Sequence, residues 1–422
     1  MPEDTGKRYF AQTKNYDIQL TIEDKDYTLD LVSVRVLSSL STAYQIVMLN
    51  MSLDPNDILL EKVFGSEAFN LSIRLIGQGG QVQEQVDFEL MFIKADYSTI
   101  EKTEFSQETQ KDNVPYIVTT VCRQPWKTMN TLVNDLFTNT TVPEIINSLA
   151  ADIGATIEMD TVGRNTEVID QVVIPPTTFY KIIKEYDNNT SDVYDGFLES
   201  YFGIFKGVTG VFCRYDNKVF IKNLTSKMKM NQTFTVYQLA GGLDDRDIID
   251  SSFDGKTFYT YDQINNDYSG NAKLAVLAPT IRNIVSPGDS LTYTYEQNLE
   301  DIARLHGLIY QNPKIEIDPN ISSTSRIRYT SGTGKENYEP SFNARASRAV
   351  ADLSTMSFNV ERNLPILNLM NVGECVKYIP RTLEYIDISG KYILWSSELS
   401  FSKSGSWEAT ATMNCIRTNR KI

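Results

Sequence analysis

The first 125 residues alternate apolar and polar positions with a period of two. Turn-rich segments such as Asp54–Asp57 and Gly77–Gly80 separate the alternating runs. Because successive side chains of a strand point to opposite faces, the pattern predicts antiparallel strands with one buried face. The runs are Tyr16–Ile22, Tyr27–Val36, Tyr44–Met51, Phe69–Leu75, Val86–Phe92 and Tyr116–Cys122. Six such strands predict a small β barrel or sandwich.

Near Trp126 the hydrophobic period lengthens to the three- and four-residue spacing of helices. The segment Met129–Phe137 places four apolar side chains on one helical face, which predicts a helix there. Thr177–Tyr186 and Asp192–Phe202 show the same spacing. We therefore interpret residues 126–205 as a mixed α/β insert.

A further helix is predicted over residues 141–153 from its end signals. Thr141 is a favourable N-cap, Pro143 and Glu144 suit the first turn, and Gly154 can end the helix. A glycine at that position is favoured because it adopts the left-handed conformation without a Cβ penalty.

β character returns at Val211–Ile221, a predicted hairpin with a polar turn. Residues 246–345 are polar and rich in loop formers, with one helix predicted near Leu299–Tyr310. The closing strands are predicted at Val372–Tyr378, Lys391–Phe401 and Trp407–Cys415. The predicted fold class is mainly β with α/β inserts. Its predicted domains are a first β barrel over 1–125, the insert over 126–205, a second β barrel from 206–245 with 346–422, and a loop-rich polar insert over 246–345.

Composition and charge narrow the function classes. The chain has 40 Lys and Arg against 54 Asp and Glu, a net charge of −14, so it is a poor non-specific binder of nucleic acid. Its short basic clusters, Arg326–Tyr329 and Arg345–Arg348, are interpreted as sites of surface ion pairs. No apolar stretch approaches the roughly 18 residues of a membrane helix, and the first eight residues lack the apolar core of a signal peptide.

The chain has only four cysteines and one histidine, which limits the catalytic and metal-binding chemistry that it can perform. Cys122, Cys213, Cys375 and Cys415 stand too far apart for a zinc or redox motif, and each lies in an apolar, strand-like context. We predict that they are buried small hydrophobes rather than ligands or nucleophiles. His306 follows a predicted helix with no nucleophile motif nearby, which favours a solvated or capping histidine.

Short matches to functional motifs fail on spacing. Gly332–Lys335 resembles the end of a phosphate-binding loop but lacks its first glycine and its final Ser or Thr. Ser252–Phe258 is interpreted as a glycine turn with an exposed aspartate. The acidic runs Asp244–Asp250 and Asn265–Gly270 lack the ligand spacing of a calcium loop and are interpreted as solvated. The sequence therefore predicts no catalytic, cofactor-binding or metal-binding residues, and no enzyme.

The order of elements, a β unit, a helical insert, a return to β with a polar insert and a final β set, resembles a known family. Its most suggestive stretches are Phe179–Tyr186, Phe197–Phe205, Leu367–Tyr378, Tyr392–Leu399 and Trp407–Cys415. The chain resembles the central baseplate hub protein of contractile-tailed bacteriophages and the related head region of type VI secretion spike proteins.

This resemblance implies a structural protein without catalytic residues or cofactors. It implies a homotrimeric ring with two tail-tube-like barrels per subunit, which joins the sixfold tail tube to the threefold central spike. Tail tube, spike and other baseplate proteins are the implied partners, and DNA passes through the channel without specific binding. The implied location is the virion tail baseplate, assembled in the cytoplasm of the bacterial host. The loop-rich insert is expected on the outside of the ring.

Alternative functions remain open at the level of sequence. A carbohydrate-binding or carbohydrate-cleaving tail adhesin would carry exposed aromatic side chains and carboxylates in one groove, and a soluble enzyme of another type is a third hypothesis. The charge of −14 suits a channel that repels DNA, with Glu374 and Glu408 as candidate lining residues, and it suits simple solubility equally well.

Overall fold

The protein, described here from a computed structural model, is mainly β with a few short helices, as predicted. The structure describes residues 15–53, 68–76, 80–97, 114–186, 193–205, 209–224, 234–237, 249–258, 354–362, 366–379 and 390–419. His306, Gly332–Lys335, Asn265–Gly270, both basic clusters and nearly all of the polar insert lie outside these described residues.

Each of the six alternating runs of the N-terminal region contains a strand, although the run Tyr27–Val36 is strand only from Leu31, and the two-residue strand Lys25–Asp26 lies outside the runs. The strands are β1 (Asn15–Ile22), β2 (Lys25–Asp26), β3 (Leu31–Ser39), β4 (Ile46–Leu53), β5 (Phe69–Ile76), β6 (Val82–Tyr97) and β7 (Val114–Cys122). Their alternation is borne out in burial, because every second side chain of β4 and β5 is buried. This period of two is what a sheet with one packed face requires.

The central region combines short helices with short strands. Its elements are α1 (Arg123–Asn130), β8 (Leu132–Thr140), α2 (Val142–Asp152), β9 (Thr156–Met159), β10 (Ile169–Thr178), α3 (Phe179–Ile183), β11 (Lys184–Tyr186), β12 (Val193–Asp195), α4 (Phe197–Tyr201), β13 (Thr209–Cys213) and β14 (Lys218–Asn223). The C-terminal elements are β15 (Phe234–Tyr237), β16 (Ile249–Phe258), β17 (Ser354–Arg362), α5 (Ile366–Met370), β18 (Cys375–Ile379), β19 (Gly390–Ser404) and β20 (Ser406–Asn419).

Several helix predictions need correction. The helix predicted over Met129–Phe137 ends at Asn130, and the following residues form β8, because they pair along β10 and this pairing overrides the helical spacing. The patterns at Thr177–Tyr186 and Asp192–Phe202 each contain only a five-residue helix beside a short strand. The turn predicted at Ser252–Phe258 is wrong as well, since these residues continue β16 with a register shift between Phe253 and Gly255.

The ends of α2 confirm the sequence prediction. Thr141 is the N-cap and forms a capping box with Glu144, whose Oε2 accepts the Thr141 N–H at 2.8 Å. These hydrogen bonds, led by the Thr141 backbone bond, hold the pKa of Glu144 below its ordinary value. At the other end Gly154 has φ +66°, and the N–H of Ala155 donates to the carbonyl of Ala150 at 2.9 Å.

Replacing Thr141 by alanine should lower the free energy of unfolding by about 0.5–2 kcal/mol, because the helix loses its cap. The deficit should shrink as the pH falls through the folded-state pKa of Glu144, since a protonated carboxyl no longer accepts both donors. Urea unfolding at neutral and acidic pH measures both effects. Asn147→Ala, on the exposed side of the same helix, should be nearly neutral, and equal stability of Thr141→Ala and wild type would refute this capping role.

Thirteen strands pair into one large sheet that is nearly closed as a ring. The strand order is β18-β15-β16-β17-β20-β19-β3-β4-β7-β6-β5-β1-β2, with additional pairings of β18 with β19 and of β20 with β1. The pairings are antiparallel except those that β15 makes with β16 and β18. Tyr16 pairs with Trp407 where β1 meets β20, and its ring contacts Phe401 edge-on at 5.5 Å. Burial, with the nearby Glu84 carboxylate, raises the pKa of Tyr16 to about 12.

The long hairpin β19–β20 belongs to two pairing circuits. One circuit runs through β20, β19, β3, β4, β7, β6, β5 and β1, and the other through β20, β19, β18, β15, β16 and β17. β19 pairs with β18 through residues 390–393 and with β3 through residues 396–402. A register shift against β20 lies between Leu394 and Ser396, where the partner of β19 changes. A β-bulge at this point bends β19 and changes the direction in which the strand runs.

Two hydrophobic cores lie on either side of the β13–β14 hairpin. The larger core is enclosed by the thirteen-stranded sheet, and the smaller core is formed by α2, α3, β8, β10 and their neighbours. β14 pairs with β9 of the α/β region, so the hairpin lies in a separate three-stranded sheet. Phe212 packs in the larger core, whereas Val211 and Val219 pack in the smaller one. The hairpin therefore connects the two cores.

Candidate functional site

A buried ion pair joins β14 to the C-terminal strands. The Nζ of Lys222 lies 2.6 Å from Oε1 of Glu374 and donates to the carbonyl of Val372 at 3.0 Å. The Lys222 side chain is only 6% exposed and that of Glu374 is 21% exposed. Glu374, one of the two candidate lining residues, is thus partly buried, and its carboxylate is directed at Lys222.

A second polar contact joins the turn of the β13–β14 hairpin to the residue that follows α5. Arg214 donates from Nη1 to Oδ1 of Asn371 at 3.1 Å and binds Asp216 with two hydrogen bonds of 2.9 and 2.5 Å. Its guanidinium also lies over the Phe220 ring at 5.1 Å. Burial disfavours the charged form of Asp216, but the hydrogen bond and charge of Arg214 lower its pKa overall. A planar, bidentate cation of this kind fixes the hairpin turn and the segment after α5 together.

The carboxylate of Glu199 is fully buried beside β13. Its Oε2 accepts the N–H of Ile204 at 2.9 Å, and its Oε1 accepts the hydroxyl of Thr209 at 2.8 Å. The bond to Thr209 links α4 to the start of β13, and the bond to Ile204 fixes the residues that follow α4. A buried carboxylate that accepts such hydrogen bonds holds the segments that donate them in a fixed position.

The described residues contain no group of three His, Cys, Asp or Glu side chains that could hold a metal ion. Over the same part of the chain, no helix has the length and apolar character needed to cross a bilayer. The buried charges of Lys222, Glu374 and Glu199 bind one another or the backbone, so they hold the neighbouring segments in place.

All four cysteines are buried and free, as predicted. Burial raises the pKa of the Cys122, Cys213 and Cys415 thiols, which disfavours the reactive thiolate. We expect no reaction of the native protein with Ellman's reagent over an hour at neutral pH, and four thiols to react once guanidinium unfolds the chain. Rapid labelling of any cysteine in the native protein would contradict the burial described above.

Glu408 is the second carboxylate proposed from sequence as a lining residue. It is exposed on β20, opposite Ser402 of β19. The neighbouring outer positions of this hairpin are mostly small and polar, among them Ser400 and Thr410, which face each other across the two strands. The outer face of the hairpin is thus hydrophilic, with Glu398 bound to Arg35 of β3 at 2.6 Å.

Comparison with known proteins places this fold among tail proteins. No protein-family model matches the sequence, and no curated protein matches it either. The structure matches the prophage MuSo2 43 kDa tail protein of Shewanella oneidensis with a TM-score of 0.51 and 12% identity, over 95% of this chain and 98% of that one. It matches a tail protein of Neisseria meningitidis MC58 with a TM-score of 0.50 and 8% identity, over 96% of both chains.

A weaker match is a type VI secretion component of Escherichia coli, described as similar to the T4 tail proteins gp27 and gp5. Its TM-score is 0.42 at 8% identity, over 96% of this chain and 77% of that one, which is too low to support an argument. The two stronger matches span nearly the whole of each chain, so the likeness covers the complete arrangement of elements. The resemblance to tail proteins predicted from the sequence is confirmed at the level of structure: the chain has the fold of the two bacterial tail proteins.

Proposed function

We propose that this protein is the structural hub of a contractile-tail baseplate. Three copies form a ring that joins the sixfold tail tube to the threefold central spike and leaves a channel for DNA. The observation that carries the proposal is the β19–β20 hairpin, which takes part in two pairing circuits at once. If each circuit is a small barrel, three subunits present six barrels, which matches a sixfold tube on one side and threefold symmetry on the other.

The contacts within the subunit support a structural, non-enzymatic role. The hairpin couples the two circuits without a linker, and the Lys222–Glu374 and Arg214–Asn371 contacts fix β13–β14 against the C-terminal strands. The fold shared with two tail proteins supports the same assignment. The partners in this proposal are the tube protein, the spike protein and other baseplate proteins, with the insert at 246–345 on the outside of the ring.

The oligomeric state of the purified full-length chain tests this proposal. We expect a mass about three times the 47.8 kDa of one chain by light scattering, and a ring with a central channel by electron microscopy. Dilution over a hundredfold range separates a stable ring from weak association. A monomer under all conditions, or a closed dimer, would overturn the hub proposal. A monomer that binds a glycan array would support the carbohydrate-binding adhesin instead.

A further inference from the structure

The outward face of the β19–β20 hairpin consists of small polar and acidic side chains. Leu399, Phe401 and Ala411 are buried in the larger core, so the alternate positions of the hairpin point away from that core. The outward positions pair across the two strands as Ser396 with Asn414, Glu398 with Thr412, Ser400 with Thr410 and Ser402 with Glu408. We call these paired side chains, together with Ser357 of β17, the polar band. All of them are half-buried or exposed, and none is aliphatic or aromatic.

One row of the polar band crosses from one pairing circuit to the other. The hydroxyl of Ser357 donates to Oδ1 of Asn414, and Nδ2 of Asn414 donates to Oγ of Ser396 at 3.0 Å. Ser396 in turn pairs with Ser39 of β3. Since β17 belongs to one circuit and β3 to the other, the band is part of a continuous hydrogen-bonded wall that both circuits share.

The polar band carries little charge of its own, although the chain carries −14. Its carboxylates are those of Glu398 and Glu408, and Nε of Arg35 in β3 donates to Oε1 of Glu398 at 2.6 Å. Lys403, close to the hairpin turn, belongs to the opposite face, where its Nζ lies over the Trp407 ring at 5.7 Å. The band itself therefore offers no lysine or arginine, and one of its two carboxylates is neutralised.

Other outward surfaces of the same circuit differ from the polar band in their chemistry. β6 exposes the carboxylates of Asp87 and Glu89, which is typical of a solvated outer surface. β4 directs the half-buried Met48 outward, and Ile117 of the neighbouring β7 is 48% exposed, so this surface is apolar and suits contact with another protein. The polar band fits neither description, because it lacks both the aliphatic groups of a contact surface and a row of unpaired charges.

We infer that the polar band lines the channel of the ring and gives passing DNA a nearly neutral wall of hydroxyl and amide groups. A channel needs a wall without a gap between the two circuits of a subunit, and the hairpin with β17 and β3 provides one. No cation of the band displaces the counterions of the phosphates, so contact with this wall does not hold DNA in place. The inference rests on the hub proposal and names the surface past which DNA moves. It attributes free passage to this wall rather than to the net charge of the chain.

Gold labelling of the purified full-length protein locates the polar band in the ring. Thr410→Cys receives a maleimide-coupled gold cluster, and the four native cysteines are buried, so only the new thiol reacts. Asn147→Cys, exposed on α2, is the matched control. End-on electron micrographs should show gold inside the channel for Thr410→Cys and outside the channel wall for Asn147→Cys.

The same micrographs separate this inference from the hub proposal. A ring with the Thr410→Cys gold on its outer surface would overturn the inference and leave the hub proposal standing. So would a ring in which this thiol does not react, because the band would then be buried between subunits. A chain that forms no ring would overturn the hub proposal, and this inference with it.

Lysines on the polar band should turn the wall into a surface that binds DNA. A preformed ring of the double variant Ser402→Lys with Thr410→Lys should bind linear duplex DNA about tenfold or more tightly than the wild-type ring, and this gain should fall as salt rises. A covalently closed circle of the same sequence cannot enter a preformed ring, so the gain should be confined to linear DNA. Asn147→Lys with Gln171→Lys adds the same charge at exposed positions off the band and should show no preference for linear DNA.

Unchanged ring mass and unchanged thermal unfolding show that both double variants fold and assemble. An equal gain on linear and circular DNA for the variant of the polar band would place its lysines outside the channel. That result, or no gain on linear DNA, would overturn the inference, while the intact ring would still support the hub proposal.

Discussion

Replacing Glu374 by leucine should lower the free energy of unfolding by about 3 kcal/mol. The change leaves the ammonium of Lys222 buried without the carboxylate that lies 2.6 Å from it. Loss of one member of a buried ion pair is costly because the remaining charge stays out of water. We expect the lower end of the usual range, since the side chain of Glu374 is partly exposed and water reaches part of the site.

The double variant Lys222→Met with Glu374→Leu separates the cost of an orphaned charge from the loss of packing. It should recover much of the stability lost in the single variant, because no unpaired ion remains. Glu408→Leu provides a matched control on the exposed surface and should change stability by less than about 0.5 kcal/mol. Guanidinium unfolding of all three variants gives the comparison. A single variant as stable as Glu408→Leu would show that Lys222 does not depend on this carboxylate.

Replacing Gly196 by alanine should cost about 3 kcal/mol, and here the reason is steric. A Cβ at this position would lie 2.3 Å from the carbonyl oxygen of Lys181 and 2.6 Å from the carbonyl carbon of Ile183. These are backbone atoms, so no side chain can rotate away. Separating the segments would also stretch the hydrogen bond from the Gly196 N–H to the carbonyl of Ile183, now 2.8 Å. Because the neighbouring atoms are backbone atoms that cannot move aside, we expect a loss of stability at the upper end of the range usual for overpacking.

Gly154→Ala is the matched control for this effect. Gly154 has a positive φ, but a Cβ there would meet no atom within 4 Å, so alanine should cost only about 1 kcal/mol of backbone strain. Thermal unfolding of the two variants, with tyrosine fluorescence as the readout, measures the difference. A smaller loss for Gly196→Ala than for Gly154→Ala would contradict the close approach of α4 to α3.

The sequence predicted those parts of the fold that local patterns determine. The strands β1 and β3 to β7 follow from alternation, because a sheet with one buried face admits no other period. The helix α2 follows from Thr141, Glu144 and Gly154, which act within a few residues of one another. β8 was missed because Leu132 and Leu136 suit a helical face as well as one side of a strand. Only its pairing with β10, more than 30 residues further along the chain, decides between them.

The contacts of the candidate site lie beyond what local pattern can predict. Lys222 and Glu374 are separated by 152 positions, and each resembles an ordinary surface charge when it is considered alone. The burial of Glu199 depends on Thr209 and Ile204, which meet it only after the turn that follows α4. Nothing in the spacing of these residues distinguishes them from the other acids of the chain. The element order nonetheless supported the resemblance to tail proteins, because that order is a property of the whole sequence.

The shared hairpin has a consequence for biosynthesis. Both circuits of the large sheet include β19 and β20, which the ribosome makes after every other strand described here. Until residues 390–419 emerge, β3 and β17 lack a neighbour on one side, and an unpaired edge invites association with other chains. Neither circuit can close during translation, so the pairings that close both circuits form only after synthesis of the hairpin, through contacts between distant residues that form slowly. A single stop codon before Gly390 therefore opens both circuits together.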